Sequence, residues 1–284
     1  VQALGVSPDG KLLAAGRLDG SLALYQLDSG DLVPPPPPSK PELAAVVPRG
    51  AQRGRAVQVK LFGKHLLGAT INTSHPGISA TPAGMAAADQ LEIALQTTAD
   101  VPRGRHELWL ASAGGESARV PIFIDDLPQI QEGARPSAQP ALPLALPSDM
   151  WGVLAMRGER DDYVFEVEAG QTVVFDVAAQ SLGAKGDLML TLFDSSGHVL
   201  ATNNDFDQGS DPLLAHRFER TGSYTIRVQD LRLDGSGDHF YRLTAGALPV
   251  ATGTFPLSVP ASQGGAVELV GVNLPAGVKV GIAA

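Results

Sequence analysis

Residues 162–178 read DYVFEVEAGQTVVFDVA. Apolar side chains recur at every second position on both sides of Ala169-Gly170-Gln171, which is the pattern of two half-buried strands joined by a tight turn. Short apolar runs broken by Gly, Pro, Asp and Asn continue through the rest of the chain, which contains 32 Gly and 22 Pro. No long amphipathic helix is evident. The sequence therefore predicts an all-β protein made of tandem β-sandwiches.

Composition narrows the function classes. A length of 284 residues corresponds to about two to three domains. The net charge of −9 argues against a nucleic-acid partner, which requires a basic surface. The chain has no cysteine, so disulfides, thiolate metal sites and covalent haem attachment are excluded within it. No apolar run reaches the roughly 18 residues that a membrane-spanning helix needs. Both ends fall inside strand-like patterns, so we expect a fragment of a longer protein.

Residues 1–33 predict three short strands separated by Asp-Gly turns. The string SPDGKLLAAGRLDGSLALYQLDSG, residues 7–30, resembles one blade of a WD40-type β-propeller, although Tyr25-Gln26 stand where Trp-Asp is usual. A single blade cannot bury both of its faces, so the resemblance implies that further blades belong to it. The proline run that follows makes residues 34–40 a linker, most simply a polyproline II spacer.

Residues 41–128 predict a first sandwich with five strands: Leu43–Val47, Ala56–Phe62, Leu91–Gln96, His106–Ala111 and Ala118–Ile124. The segments AVQVKLFG at 56–63 and GRHELWL at 104–110 resemble the IPT/TIG class of Ig-like domains. VKLFGKHL at 59–66 also aligns without gaps on VELVGVNL at 267–274. We therefore expect a second Ig-like module, truncated, over residues 249–284. Residues 129–147 are rich in Pro and Ala and predict a linker or an extended edge crossing.

Residues 148–248 predict an eight-stranded antiparallel double sheet of the jelly-roll kind. The strands are Trp151–Met156, Tyr163–Glu168, Thr172–Ala178, Asp187–Phe193, Val199–Thr202, Leu213–Phe218, Gly222–Gln229 and Phe240–Ala245. The segments GERDDYVF (158–165), AGQ (169–171), LTLFD (190–194), NND (203–205), GSYTIRV (222–228) and YRL (241–243) resemble the bacterial pre-peptidase C-terminal (PPC) domain in order and spacing. The resemblance implies a sandwich appended to secreted peptidases, accessory to catalysis, which in some members binds calcium and collagen.

One loop of this module has a distinctive composition. Between residues 186 and 216 there are five aspartates and no Lys or Arg. Calcium is held by hard oxygen ligands of this kind, so we expect a candidate calcium site formed by Asn203, Asp205, Asp207, Asp211 and Asp230. The loop does not have EF-hand spacing, because the sixth and twelfth positions from Asn203 are Gln and Leu. Asp and Asn are also good turn formers, so a purely structural role for this loop stays open.

Catalytic motifs are lacking. The sequence contains neither H-E-x-x-H nor G-x-S-x-G, and the phosphate-loop-like string GVSPDGK at 5–11 is followed by Leu12 and a strand instead of a helix. The acid pairs Asp125-Asp126 and Asp161-Asp162 alternate between strand faces and are expected at solvated edges. Both tryptophans, Trp109 and Trp151, are expected to anchor cores or edges, and Tyr163, Tyr224 and Tyr241 to pack within strands.

These features favour a non-catalytic binding, adhesion or spacer region of a bacterial extracytoplasmic protein, stabilised by Ca²⁺ if the loop binds it. The alternative is an accessory region of a secreted peptidase or haem-containing enzyme whose catalytic domain lies outside this fragment. Direct recognition of collagen or polysaccharide is a third possibility, carried by family analogy alone. A protein or polysaccharide surface ligand is the expected partner, with no nucleic acid and no membrane span.

Overall fold

The computed structural model describes residues 3–16, 22–33, 39–133 and 141–283. Over these ranges it contains twenty-six strands and one short 3₁₀ helix, η1 (Gln180–Leu182). The predicted all-β fold class is confirmed. No helix in this part of the chain is long and apolar enough to cross a membrane.

The first sheet is a four-stranded antiparallel meander. Its strands, in spatial and chain order, are β1 (Ala3–Val6), β2 (Leu12–Gly16), β3 (Leu22–Gln26) and β4 (Leu32–Val33). The short β4 was not predicted; it follows a turn at Gly30, whose φ of 74° suits glycine. Leu4 and Leu22 are 66% and 68% exposed, so this sheet leaves apolar surface uncovered. The Asp19-Gly20 turn and the proline run lie outside the described residues, and the propeller-blade assignment stays a prediction.

The first sandwich is formed by nine strands in two sheets. One sheet has the order β5-β7-β10-β9, and the other has the order β12-β11-β13-β6, with β8 paired to β11. The strands are β5 (Glu42–Val47), β6 (Gly50–Gln52), β7 (Ala56–Lys64), β8 (Thr70–Thr73), β9 (Ile78–Ala86), β10 (Gln90–Thr97), β11 (Gly104–Ser112), β12 (Gly115–Glu116) and β13 (Val120–Asp125). All five predicted strands are present. The four additional ones are short, or poor in apolar alternation as in β9, so periodicity could not reveal them.

The second sandwich has two five-stranded sheets, ordered β14-β16-β23-β18-β21 and β15-β17-β22-β19-β20. The strands are β14 (Gln129–Gln131), β15 (Leu142–Pro143), β16 (Ser148–Val153), β17 (Arg160–Val167), β18 (Thr172–Ala178), β19 (Leu188–Phe193), β20 (Val199–Asn203), β21 (Leu213–Arg217), β22 (Gly222–Asp230) and β23 (Phe240–Gly246). All eight predicted strands appear.

The segment predicted as a linker contributes to this sandwich. Strand β14 pairs in parallel with β16, and β15 pairs in parallel with β17, so the double sheet is not purely antiparallel as expected. Leu144, which follows β15, is buried in the core. Proline-rich composition predicted an extended chain correctly, but an extended chain can also form an edge strand.

The two sandwiches have separate apolar cores. In the second, the alternating side chains of the opening stretch all point inward: Tyr163, Phe165, Val167, Val173, Phe175 and Val177 are at most 4% exposed. The strands β17 and β18 lie in different sheets, and these side chains meet in one core with residues such as Leu190 and Leu243. The core of the first sandwich is built around Val59, Leu61 and Ile93. Side-chain alternation thus positions one buried face on each sheet.

A last three-stranded sheet has the order β24-β25-β26, with β24 (Val250–Phe255), β25 (Gly265–Val272) and β26 (Lys279–Ile282). Both pairs are antiparallel. Val267 is buried, but Phe255 and Leu257 are 71% and 89% exposed.

Candidate functional site

The predicted calcium loop begins where β20 ends. Asn203 pairs with Leu190 at the end of the β19–β20 hairpin. Asp205 accepts a hydrogen bond from Asn204 Nδ2 at 2.9 Å. Asp207 has a φ of 56°, in the left-handed region that Asn and Asp tolerate better than most residues. Asn203 is thus a strand residue, whereas Asp205 and Asp207 lie in the loop that follows it.

Asp211 caps the 3₁₀ helix. Its Oδ1 accepts from the backbone N–H of Gln180 at 2.9 Å, and its Oδ2 accepts from that of Ser181 at 3.0 Å. First-turn N–H groups have no partner within their own helix, so a carboxylate that accepts from two of them stabilises the turn. Both oxygens of Asp211 therefore already serve a structural purpose.

Asp230 ends β22 and is 2% exposed. Its Oδ2 accepts from the N–H of Asp187 at 2.9 Å, and its Oδ1 accepts from the N–H groups of Arg232 and Asp234 at 2.9 and 3.0 Å. Three charge-assisted bonds to backbone amides offset the cost of burying this carboxylate. Asp230 thus organises the loop after β22 and joins it to the start of β19.

The structure does not bring the five predicted ligands into one metal-binding group. Within residues 3–16, 22–33, 39–133 and 141–283, no three His, Asp or Glu side chains are arranged to hold a metal ion. Asp211 points its oxygens at the backbone N–H groups of η1, and Asp230 points its oxygens at those of Asp187 and of its own loop. The donor set therefore does not fit a calcium ion in the geometry seen here, and calcium binding stays a prediction.

A buried tyrosine–carboxylate network lies in the second sandwich. The Oη atoms of Tyr163 and Tyr241 are 2.6 Å apart, and Tyr241 Oη donates to Asp161 Oδ2 at 2.6 Å. All three residues are fully buried. Burial, followed by the nearby Tyr163 and Asp161, raises the pKa of Tyr241 well above its ordinary value. The phenol therefore remains a neutral hydrogen-bond donor.

This network corrects the expectation for Asp161, which does not lie at a solvated edge. Asp161 faces the core, whereas Asp162 on the opposite face forms an ion pair with Arg227 at 2.6 Å. The strand alternation was predicted correctly. The hydroxyl donor for Asp161 comes from a strand 80 residues away, so no local pattern could reveal it.

The two sandwiches meet at an aromatic contact. Trp151, on β16, is 1% exposed, and its ring centroid lies 5.4 Å from that of Phe123, on β13. A Cβ at Gly50 would meet Trp151 Nε1, so glycine is required for this approach. Tilted aromatic pairs at this distance contribute beyond their buried area. Trp151 is thus an anchor between modules, which refines its expected role as a core or edge residue.

Ion pairs surround this contact. Arg242 Nη1, on β23, lies 3.5 Å from Asp125 Oδ2, on β13, and Arg103 Nη2 lies 2.8 Å from Asp125 Oδ1. Asp125 is 9% exposed, so its expected position at a solvated edge was wrong. The Arg49 guanidinium of the first sandwich stacks 3.9 Å from the ring centroid of Phe240 in the second. Partly buried ion pairs and stacked guanidinium groups fix orientation better than exposed ones.

A hydrogen-bonded chain completes what we call the junction. Trp151 Nε1 donates to Gln129 Oε1 at 2.8 Å, and Gln129 Nε2 donates to Asp149 Oδ2 at 2.6 Å. Asp149 is fully buried and also accepts from Thr244 Oγ1. Burial raises the pKa of the nearby Asp176, and Arg242 partly opposes this rise. We define the junction by Phe123 and Asp125 of the first sandwich and Asp149, Trp151 and Arg242 of the second.

The second sandwich also carries a polar groove with a volume of about 440 Å³. It lies beside the turn at Asp194 and the strands β21 and β22, and we call it the arginine groove. Its lining includes Asp194, His216, Arg217, Glu219, Arg220 and Tyr224. Tyr224 packs against Phe218 with a centroid distance of 4.5 Å, which supports the groove wall. Such a mixture of charged and aromatic groups suits a polar ligand.

A catalytic arrangement is not apparent at the serine–histidine contact that the structure shows. Ser236 Oγ lies 2.8 Å from His239 Nδ1, but the two residues belong to one turn, and Ser236 Oγ also accepts from the Asp238 N–H. Trp109 likewise does not offer a bare stacking platform, because Arg119 lies 4.1 Å from its ring centroid.

Solved structures with similarity to the chain are distant. The pre-peptidase C-terminal domain of a Bacillus anthracis collagenase is 19% identical, covers 40% of this chain and 99% of its own, and has a TM-score of 0.31. The Aeromonas hydrophila lysozyme inhibitor PliG is 12% identical, covering 42% and 96%, with a TM-score of 0.29. SGBP-B from a xyloglucan utilization locus of Bacteroides uniformis is 13% identical, covering 87% and 86%, with a TM-score of 0.27. TM-scores this low carry no information about which ligands this chain binds.

The comparison with curated proteins gives no match. The comparison with family models gives one, and it falls within the second sandwich, on strands β17 to β22. Residues 159–230 match the bacterial pre-peptidase C-terminal domain, which confirms the predicted resemblance over that part of the chain.

Proposed function

We propose that this chain is a non-catalytic binding and spacing region of a bacterial extracytoplasmic protein. The observation that carries the proposal is the junction, where Phe123 and Asp125 of the first sandwich meet Trp151 and Arg242 of the second. A connection between independent domains is ordinarily an exposed linker with few contacts across it. A buried aromatic pair with partly buried ion pairs holds two modules at a fixed angle, which is what a spacer requires.

The coupling can be tested by differential scanning calorimetry of the full chain. We expect the two sandwiches to unfold in one transition, because separating them exposes the junction. A double variant, Trp151→Ala with Arg242→Ala, is expected to split this transition in two. Lys64→Ala, which removes an exposed side chain on β7 of the first sandwich, is the control and is expected to leave one transition. Two separate transitions in the unaltered chain would count against the spacer function.

The binding part of the proposal is placed at the arginine groove. Arg217 and Arg220 lie in its lining with Tyr224, so charged donors and an aromatic ring are available to one polar ligand. Retention on fibrillar collagen and on insoluble cellulose should be measured in parallel. Binding to either polymer that falls at least tenfold in a double variant, Arg217→Ala with Arg220→Ala, supports the groove. Arg105→Ala, on the first sandwich, is the matched control. No retention on either polymer contradicts this part.

The second candidate is an accessory region of a secreted peptidase or of a haem-containing enzyme. The description of the matching family, a domain associated with peptidases by name, favours the first of these. The test is a proteolysis assay and a haem spectrum of the product of the complete reading frame. Protease activity or a haem absorption band would support this candidate, whereas the absence of both would leave the binding and spacing function as the better account.

A further inference from the structure

The arginine groove lies along an open side of the second sandwich. Strands β20 and β21 are outermost strands of the two sheets, one in each. The groove is lined by Leu200 of β20 and by His216 and Arg217 of β21, together with residues of the turn after β19 and of the turn before β22. Its volume of about 440 Å³ is within the range of ligand pockets, about 300–1,000 Å³. The sheets therefore leave a hollow at their edges that is large enough for a small ligand.

Two guanidinium groups of this groove have no carboxylate partner. Most other arginines of the described residues form ion pairs, as Arg227 does with Asp162 at 2.6 Å. In the part of the chain that the structure describes, neither Arg217 nor Arg220 forms an ion pair within 4.0 Å. Both side chains are exposed. Because 30 Asp and Glu residues outnumber 21 Lys and Arg residues, two unpaired arginines in one groove form a distinctive positive group.

The acidic side chains of the groove leave these arginines available. Asp194 Oδ1 accepts from the backbone N–H groups of Ser196 and His198 at 2.8 and 2.9 Å, and its Oδ2 lies 3.2 Å from His198 Nδ1. These contacts, with the His198 backbone N–H first, lower the pKa of Asp194 and bind the carboxylate within its own turn. Glu219, the other carboxylate of the lining, is exposed. Removal of Glu219 should therefore favour an anion in the groove.

An aromatic stack supports one wall of the groove. Phe218 is 1% exposed, and its ring centroid lies 4.5 Å from that of Tyr224 and 4.8 Å from that of His216. Tyr224 Oη donates to the carbonyl oxygen of Arg220 at 3.0 Å. The buried ring thus holds two ring side chains of the lining, and Tyr224 holds the backbone that carries Arg220. A site preorganised in this way loses less conformational entropy when a ligand binds.

The lining matches a sugar that carries an anion. A guanidinium group can donate two parallel hydrogen bonds to a carboxylate or a related oxyanion. Ser195, Ser196 and Ser223 line the same groove, and serine hydroxyls can both donate to and accept from the hydroxyl groups of a sugar. A long and densely charged polyanion such as a nucleic acid is disfavoured, because the net charge of the chain is −9.

We propose that the arginine groove binds an acidic polysaccharide through the carboxylate or sulfate group of one sugar residue, with Arg217 and Arg220 as the donors to that group. This inference names the ligand class of the groove and rests on the proposed function, in which the groove is the binding site. Carboxylate and sulfate groups present the same oxygen acceptors to the two guanidinium groups, so the probes in the test distinguish between them.

The test uses the full chain and three fluorescein-labelled probes of equal length: an oligogalacturonate, its methyl ester and a sulfated oligogalactose. At least one charged probe is expected to give a saturable rise in fluorescence anisotropy, and the one that binds identifies the anionic group. The methyl ester keeps the sugar and lacks the charge, so it is expected to bind at least about tenfold more weakly than a charged probe that binds. Sodium chloride is expected to weaken binding, because the arginines are exposed to solvent.

Variants of the chain assign the binding to the groove. Arg217→Ala with Arg220→Ala is expected to weaken binding at least about tenfold. Arg55→Ala removes another exposed arginine that has no ion pair among the described residues, and this matched control is expected to leave the affinity unchanged. Glu219→Gln is expected to strengthen binding about two- to fivefold, the effect of one exposed charge. A folding defect does not raise affinity, so this variant separates recognition from stability.

Failure of this inference is distinguishable from failure of the proposed function. If neither charged probe binds, or if the methyl ester binds equally well, recognition of an acidic sugar is wrong. Retention on collagen or cellulose that the double arginine variant lowers would still support the groove as a binding site. A labelled polyglutamate peptide that binds as tightly as the charged saccharides would assign the groove to a peptide and overturn the inference. Binding of a charged probe that the double variant does not weaken would also overturn it.

Discussion

The indole of Trp151 and the phenyl ring of Phe123 lie 5.4 Å apart and belong to different sandwiches. Neither ring is part of the apolar core cluster of its own module. The two rings are therefore buried by the contact between the sandwiches. A single substitution at either ring consequently tests the junction without removing a residue of either core.

Trp151→Ala is expected to lower the free energy of unfolding by about 3–5 kcal/mol, the usual cost of truncating a buried tryptophan. Urea denaturation followed by circular dichroism measures it. Trp109→Ala is the matched control, because Trp109 is only half-buried, and its cost is expected to be clearly smaller. Equal costs for the two variants would mean that Trp151 contributes no more than an ordinary surface strand residue.

Gly152→Ala is expected to destabilise the second sandwich by about 1–3 kcal/mol, since overpacking forces neighbours apart. A Cβ at Gly152 would meet the hydroxyl end of Tyr241 and would lie 2.7 Å from Glu132 Oε2. Gly237→Ala is the control, because nothing lies within 4 Å of its Cβ. The thermal unfolding midpoints of both variants are compared. An unchanged midpoint for Gly152→Ala would contradict the close approach of Tyr241 to Gly152.

Tyr241→Phe removes the hydroxyl that donates to Asp161, and we expect a loss of about 1–3 kcal/mol for a buried hydrogen bond to a charged group. Tyr224→Phe removes a hydroxyl that donates to the carbonyl oxygen of Arg220 near the surface. That variant is expected to cost less than half as much. Chemical denaturation at neutral pH compares them. If neither substitution lowers the free energy of unfolding, the buried tyrosine–carboxylate network does not stabilise the fold.

Asp176 gives a pH dependence whose sign follows from its raised pKa. Burial raises the pKa of this carboxyl above 3.8 in the folded protein. Its ionised form therefore opposes folding, and this cost is absent below the unfolded pKa and grows as pH rises through the folded one. Asp176→Asn is expected to stabilise the chain near pH 7 and to lose this advantage as pH falls to about 4. A destabilising effect at pH 7 would show that attraction to Arg242 outweighs burial.

Calcium is tested with Asp211→Ala. As a cap of η1, Asp211 is expected to contribute about 0.5–2 kcal/mol regardless of calcium. If the predicted calcium site forms, calcium raises the melting temperature of the unaltered chain and the Asp211→Ala variant loses part of this rise. Thermal scans of the unaltered chain with calcium and with chelator that superimpose would refute the calcium prediction.

The fold could be predicted largely from local pattern. The alternation around Phe165 and Phe175 placed both strands and their buried faces, since side-chain direction in a strand is set by neighbours in sequence. Strands β14 and β15 were missed because their pairing depends on β16 and β17, and because proline-rich composition indicates a linker equally well.

The junction could not be predicted for the same physical reason. Burial of Asp125 depends on Arg242, and burial of Asp161 depends on Tyr241, and each partner lies far along the chain. Sequence alone gives the cost of burying a carboxylate but not the distant group that offsets it. Composition likewise did not reveal that Asp211 and Asp230 accept hydrogen bonds from backbone N–H groups, and calcium binding stays a prediction.

A distance measurement between the two sandwiches shows whether the junction fixes their relative orientation. The chain has no cysteine, so spin labels can be placed at Thr81→Cys on β9 and Thr202→Cys on β20 without further changes. Double electron–electron resonance is expected to give one narrow distance distribution that broadens when Trp151 and Arg242 are both replaced by alanine. A broad distribution in the otherwise unaltered chain would show that the sandwiches move independently and that the junction does not fix them.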